Sequence, residues 1–330
     1  MEQLNDDKFI KRVESLIDPV QVSNLLCFQS LKRIVPGPVM RRLLYRAARN
    51  TPRIGFVIEP YSLFVFFKLK DIETSRSMLP DRYELTKVRL FVDDEPDYYL
   101  GLGNLSTRAS TFWGVRQEAY LIARDKVTGL LSWIFIDILS NTLIALPSTG
   151  ITDPNTRTAI FTTNSKGEVL LDISEEKTER RFSLRGNLRN GKLRPLDQDL
   201  WLMGNTSIGH SVRLADGDDT PFAVIFDPAE VAEALDVPID DVRIMENTLF
   251  PGLAEPEPSK VVCFPFAQHY IADSPGCHTS VKDRDDMIAI YNEMAEAGPE
   301  KTFSARTIAA QVAAGIAVTA LIIALLLLIL

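Results

Sequence analysis

The stretch Thr111-Phe112-Trp113-Gly114-Val115-Arg116-Gln117-Glu118-Ala119-Tyr120 governs the reading of this chain, together with the return segment Ser132-Trp133-Ile134-Phe135-Ile136-Asp137. Strand alternation sends Arg116, Glu118 and Tyr120 to one face and Gln117, Ala119 and Leu121 to the other. A strand with charges on one side ordinarily shows them to solvent. Here the aromatic-glycine entrance and the apolar return strand predict a largely enclosed β structure with Arg116 and Glu118 inside. Charges in such a place are costly unless they are paired or used.

Working outward, strand signals recur from Ile54 to about Pro265. They fall at Gly55–Lys68, Lys87–Val92, Tyr98–Leu105, Arg116–Ala123, Leu130–Asp137, Thr142–Leu146 and Arg157–Thr163. Further on they fall at Glu168–Ile173, Arg181–Arg185, Leu200–Met203, Phe222–Phe226, Arg243–Glu246 and Lys260–Phe264. Thr128-Gly129, Lys166-Gly167, Asn190-Gly191 and Asp216-Gly217 supply turns, and Asn-Gly is the strongest hairpin signal of the four. Few gaps could hold a crossover helix, which disfavours a doubly wound parallel sheet. Two helices are predicted late: one begins at Asp227-Pro228-Ala229-Glu230 and reaches Leu235. The other runs from about Lys282 to Ala297, with Met287, Ile290, Tyr291 and Met294 on one face.

Of the 330 residues, 46% are hydrophobic and 24% charged, which excludes wholesale disorder. The net charge of −8 argues against a broad nucleic-acid-binding face, so no nucleic-acid partner is expected. Cys27, Cys263 and Cys277 are too few and too scattered for a disulfide framework, as in a reducing compartment.

The two ends differ from the body. From Thr307 to Leu330 the chain has 24 residues without a charge. At 1.5 Å per residue they make roughly 36 Å of helix, enough to cross a hydrocarbon core of about 30 Å. The acidic start MEQLNDDKFIKRVESL lacks the apolar core of a secretory signal. A tail-anchored, single-pass membrane protein is expected, with Lys301 and Arg306 keeping the soluble part in the cytoplasm. Between Asp18 and Glu59 no acidic residue occurs, while Lys32, Arg33, Arg41, Arg42, Arg46, Arg49 and Arg53 are basic. Two readings of this arm stand side by side: it lies on anionic lipid, or it packs on the acidic body.

Motif chemistry is sparse. His210, His269 and His278, with Cys277, show no zinc spacing, so no metal is expected. Gly204-Asn205-Thr206-Ser207-Ile208-Gly209-His210 lacks the Gly-Lys-Ser/Thr ending of a phosphate loop and reads as a plain loop. No Gly-x-Ser-x-Gly elbow occurs.

The order of features resembles the acetoacetate decarboxylase-like superfamily over about residues 55–270. Met78-Leu79-Pro80-Asp81-Arg82-Tyr83-Glu84-Leu85 stands where that family has leucine-proline-x-x-aromatic. The Tyr98–Leu105 strand, Phe112-Trp113-Gly114 and the turn Leu146-Pro147 come next in the same order. The resemblance implies a mainly β fold (β+α), an antiparallel β-cone or barrel around a small-molecule cavity with peripheral helices. Where the family carries proline and two lysines, this chain has Arg116, Gln117 and Glu118. The family's Schiff-base lysine, activated by a neighbouring cation, therefore has no counterpart, since no lysine lies between Lys87 and Lys126. Lys126 itself sits in a polar turn and reads as solvated.

The expected organisation is a basic helical region over 1–55, a β domain over 56–290, a linker over 291–306 and a transmembrane tail over 307–330. The expected function is binding, or conversion without a Schiff base, of a small carbonyl- or carboxylate-containing molecule at the membrane surface. If it is an enzyme, the chemistry is lyase-like or acid–base. Arg116 would pair with a carboxylate or enolate oxygen, and Glu118 would give or take a proton. Trp113, Gln117, Tyr120, Trp133 and Asp137 are the candidate ligand contacts; no cofactor is expected, and homo-oligomerisation is left open. The rival is a non-catalytic scaffold whose barrel is filled by side chains and whose arm contacts lipid or a partner.

Overall fold

A computed structural model describes residues 6–17, 53–109, 113–142, 144–146, 150–211, 219–273 and 279–297. The predicted tail over 307–330, most of the basic arm, and Thr111, Phe112, Pro147, Gly217, Cys277 and His278 lie outside these residues. Among the described residues, no helix is long and apolar enough to cross a membrane.

The fold is mainly β with few helices. Its strands open with β1 (Arg53–Ile58), β2 (Ser62–Lys68), β3 (Tyr83–Leu85), β4 (Tyr99–Ala109), β5 (Trp113–Asp125) and β6 (Leu131–Ser140). The middle of the chain gives β7 (Ile144–Leu146), β8 (Gly150–Thr152), β9 (Thr156–Thr163), β10 (Glu168–Glu175), β11 (Arg181–Asn187) and β12 (Lys192–Pro195). The last are β13 (Ile208–His210), β14 (Ala223–Phe226), β15 (Glu233–Asp236), β16 (Val242–Asn247), β17 (Lys260–Phe264) and β18 (Gln268–Asp273). Among the described residues, the α-helices are α1 (Asp6–Leu16), α2 (Ile72–Ser77) and α3 (Arg284–Glu296).

One large sheet runs β12-β15-β17-β2-β4-β1-β18-β14, and β5, β6, β3 and β13 branch from it at β4. The branch arises because β4 is long. One of its edges pairs with β5 along most of its length. The other meets β2 through Tyr99–Asn104 and β1 through Thr107–Ala109. The predicted continuous strand Gly55–Lys68 is broken between β1 and β2 at Glu59-Pro60-Tyr61, where Tyr61 takes φ 70°.

The expected closed barrel does not form. The strand order is open, ending at β12 and β14. The β13 end of the branch meets the segment leading into β14 through an isolated pair, Ile208 and Phe222, whose backbones exchange hydrogen bonds of 2.9 and 3.0 Å. The sheet therefore curls around an interior without a ladder sealing it.

Both faces of β2 are covered, which is why its sequence SLFVFFK is nearly continuously apolar. Phe64 and Phe66 face inward into an aromatic cluster with Trp133, Trp201 and Phe264, at centroid separations of 5.2 to 6.4 Å. Leu63, Val65 and Phe67 face the other way. There a second sheet, β16-β11-β10-β9, packs Leu171, Phe182 and Leu184 against them. The α1 and α3 helices cover β1 and β18: Phe9 stacks on Tyr291 at 4.4 Å, and Arg53 grips Glu293 at 2.9 and 3.0 Å. With Tyr291 and Met294 buried, α3 runs straight through the expected linker boundary at 291.

Other sequence expectations shift for local reasons. Leu200–Met203 is a π-helical turn rather than a strand; four consecutive buried apolar residues carry no period by which to tell the two apart. Lys87–Val92 makes isolated bridges through Val88 and Phe91 instead of a ladder. The helix expected from Asp227 is a single 3₁₀ turn, Pro228–Val231, and Leu235 belongs to β15. Asn190-Gly191 is a turn, yet it joins β11 and β12 without pairing them, because β11 lies between β10 and β16.

Candidate functional site

The hairpin of β5 and β6 carries the site, and its turn is pinned from below. Asp125 accepts hydrogen bonds from Arg82 Nε and a second Arg82 nitrogen at 2.9 and 2.8 Å, and from Val127 N and Thr128 Oγ1 at 2.9 and 3.0 Å. Burial opposes the Asp125 charge, but Arg82 and the turn donors outweigh it and hold the carboxyl below its usual range. Gly129 closes the turn at φ 76°, a conformation glycine adopts without penalty.

From this turn, alternation carries Ile122, Tyr120, Glu118 and Arg116 along the inner face. Arg116 and Glu118 are indeed inside, with side chains 11% and 10% exposed, and Arg116 Nε lies 3.0 Å from Glu118 Oε1. The other Glu118 oxygen accepts a hydrogen bond from the Tyr120 hydroxyl. Burial, then the charge of Glu118 and this bond, push the Tyr120 phenol well above its ordinary value, so it remains a proton donor.

A second tyrosine arrives from the opposite side of β4. The β1 strand pairs Phe56 with both Ala109 of β4 and Tyr270 of β18. Tyr270 is fixed between Phe56 and Phe226, at centroid separations of 4.9 and 4.7 Å. Its phenol is raised by burial and by the charge of Glu118, while Arg116 pulls the other way. Arg116, Glu118, Tyr120 and Tyr270 thus share one electrostatic neighbourhood.

Beyond Tyr120 the wall is aromatic. Phe135 lies 4.7 Å from Tyr120 and stacks on His210 at 5.4 Å, and Phe222 stacks on both Phe135 and His210. Burial pushes the His210 imidazole down to about 4, so it is neutral over the physiological range.

The remaining sequence candidates fall elsewhere. Trp113 is 64% exposed at the outer end of β5, under the Arg108 guanidinium at 5.7 Å. Gln117 is buried on the opposite face, donating to Asn104 Oδ1 at 2.8 Å. Trp133 is on the inner face, with its indole N–H committed to Leu200 O at 3.2 Å. Asp137 is turned away and pairs with Arg180. A bulge explains this: the register of β5 and β6 shifts between Ala119 and Tyr120, so Phe135 faces Tyr120 while Asp137 faces Ala119. Lys126 is a solvated turn residue whose Nζ donates to Asp81 O at 2.7 Å. Sequence reasoning misses Tyr270 and His210 as site residues. The first lies in a strand that is not predicted, and the second in a glycine-containing stretch that reads as loop. Among the described residues, no three His, Cys, Asp or Glu side chains gather as a metal site requires.

No family model and no curated protein sequence matches the chain. Among solved structures it is similar to an acetoacetate decarboxylase from Legionella pneumophila subsp. pneumophila str. Philadelphia 1. The identity is 10%, the match covers 68% of this chain and 88% of that one, and the TM-score is 0.42.

Proposed function

We propose that the inner face of the β5–β6 hairpin binds, or converts without a Schiff base, a small carbonyl- or carboxylate-containing molecule. The observation that carries this reading is the inward ion pair of Arg116 and Glu118 with Tyr120 bonded to the same carboxylate. Buried ion pairs are weak sources of stability, because desolvation offsets their attraction. Strongly perturbed groups gathered around such a pair, here Tyr120 and Tyr270, make it a functional-site candidate. In this reading Arg116 meets a carboxylate or enolate oxygen, Glu118 moves the proton, and the tyrosine hydroxyls orient the oxygen atoms. The chain works at a membrane surface, held by residues 307–330.

One observation favours the scaffold reading. Phe64, Phe66, Trp133, Trp201 and Phe264 fill one end of the interior with rings. A test separates the two. Acetoacetate titrated calorimetrically into the full-length chain should bind, and Arg116→Ala should weaken it more than tenfold, since truncating a buried charge pair costs about 2–5 kcal/mol. Lys126→Ala should change little, and borohydride should trap no lysine adduct. Binding indifferent to Arg116, or an adduct at Lys126, would overturn the assignment.

A further inference from the structure

Among the described residues, no hydrogen bond accounts for Nε2 of His210, a polar group of the inner wall. It stands on β13, which runs parallel to β6 and places His210 opposite Phe135, the residue that on its other side faces Tyr120. Cross-strand partners share a face, so the imidazole projects on the same side as Tyr120, Glu118 and Arg116. Two strand spacings separate the backbones of Tyr120 and His210, about 10 Å. The ring is stacked on Phe135 with an interplanar angle of 17° and on Phe222 with one of 25°. These two phenylalanines are themselves within 8° of parallel. His210 Nε2 is buried and has no hydrogen-bond partner among the described residues. Leaving a buried ring nitrogen unpaired costs stability, and the ring stacks on Phe135 and Phe222 do not themselves require a histidine.

We propose that His210 is the second polar anchor of the site, and that the ligand is a flat aromatic or conjugated carboxylic acid with a hydroxyl or carbonyl at its far end. This rests on the reading of Arg116 and Glu118 as the end that receives the acid. The near-parallel rings of Phe135, Phe222 and His210 offer offset stacking to a planar ligand, which an aliphatic chain would forgo. A neutral imidazole can accept from a hydroxyl or donate to a carbonyl, according to its tautomer. A site built to pair a substrate hydroxyl rejects the analogue lacking it far more strongly than an apolar pocket can.

The test uses a matched pair of probes, 4-hydroxycinnamate and cinnamate, titrated calorimetrically into the full-length chain. The hydroxylated acid should bind more than tenfold tighter. His210→Phe, which keeps the stacking and removes Nε2, should bring its affinity down to that of cinnamate. His210→Gln, which keeps a polar end, should retain part of the preference and guards against a folding defect in the first variant. Arg116→Ala should weaken both acids alike. A hydroxyl preference that survives His210→Phe would overturn the role of His210. If neither aromatic acid binds while acetoacetate still binds through Arg116, the ligand class is wrong and the function proposed above stands. If acetoacetate binding is also indifferent to Arg116, both fall together.

Discussion

His269 Nδ1 lies 2.7 Å from Glu230 Oε1, while its Nε2 lies 3.6 Å from Glu14 of the N-terminal helix. The imidazole thus joins three parts of the chain: β18, the 3₁₀ turn at Pro228–Val231, and α1. Burial disfavours its charge, but the hydrogen bond and charge of Glu230, joined by Glu14, prevail and raise it above its ordinary 6.5. A histidine raised on folding contributes stability that is fully present below its unfolded value and is lost as pH rises through the folded one. Denaturation midpoints should therefore fall as pH is raised from 6.5 through the raised value, and His269→Gln should flatten that slope. Arg108, bonded to Glu14 at 3.1 Å and Glu59 at 2.6 Å, keeps its own hold on α1. The helix should loosen, not detach. An equally steep slope in the variant would locate the titrating group elsewhere.

Tyr120→Phe tests whether the charged cluster is a balanced unit. The substitution keeps the ring against Trp133 and Phe135 and removes only the hydroxyl that bonds Glu118. A buried carboxylate oxygen left without its donor costs about 1–3 kcal/mol. Urea denaturation should show that loss, and Tyr120→Phe combined with Glu118→Gln should recover part of it. No loss in the single variant would mean that Glu118 is otherwise satisfied.

How much of the fold and site is legible in the sequence depends on whether a feature is local. Lys260–Phe264 matches residue for residue, and α3 to within about two residues, because Asp283 caps it and Met287, Ile290, Tyr291 and Met294 fall at helical spacing. Alternation along a single strand is enough to place Arg116 and Glu118 inside. The same logic misplaces Asp137, since one extra residue at Ile136 reverses the face of every later position in β6. Trp113 fails differently: it caps the strand beyond the interior, where alternation has nothing to say. Tyr270 and His210 reach the site through pairings of β18 with β1 and of β13 with β6, more than 70 residues apart in sequence. Nothing near either residue announces those partners. The fork at β4 is of the same kind, which is why the sequence suggests a closed barrel and the chain forms an open, curled sheet.

Gly103→Ala probes the packing behind the site. A methyl group built on Gly103 would come within 2.8 Å of Phe64 Cε1 and 3.4 Å of the Tyr120 ring. Phe64 has little room to yield, being set edge-on to Trp201 at 5.2 Å and to Phe264 at 6.0 Å. Overpacking of this kind typically costs about 1–3 kcal/mol. The variant should lose that much in denaturation and should also weaken acetoacetate binding, because Tyr120 is displaced with Phe64. Full stability would show that the Phe64 ring can turn aside.

The last prediction concerns attachment to a membrane, proposed from the 24 uncharged residues between Thr307 and Leu330. Truncation after Arg306 should move the protein from the membrane fraction to the supernatant without unfolding it. The physical reason is that α3 ends at Glu296 and packs Met287, Ile290, Tyr291 and Met294 into the core of the β body, with Tyr291 stacked on Phe9. The truncated chain keeps Lys32, Arg33, Arg41, Arg42, Arg46, Arg49 and Arg53. Each cation close to an anionic surface contributes about 1 kcal/mol, screened within a Debye length. Vesicle binding by the truncated chain should therefore rise with anionic lipid and collapse at high salt. Truncated protein that still pellets after a high-salt wash would show that the tail is not the principal attachment. Equal binding to neutral and anionic vesicles would instead assign the seven cations to packing on the acidic body, where 59–306 carries a net −13.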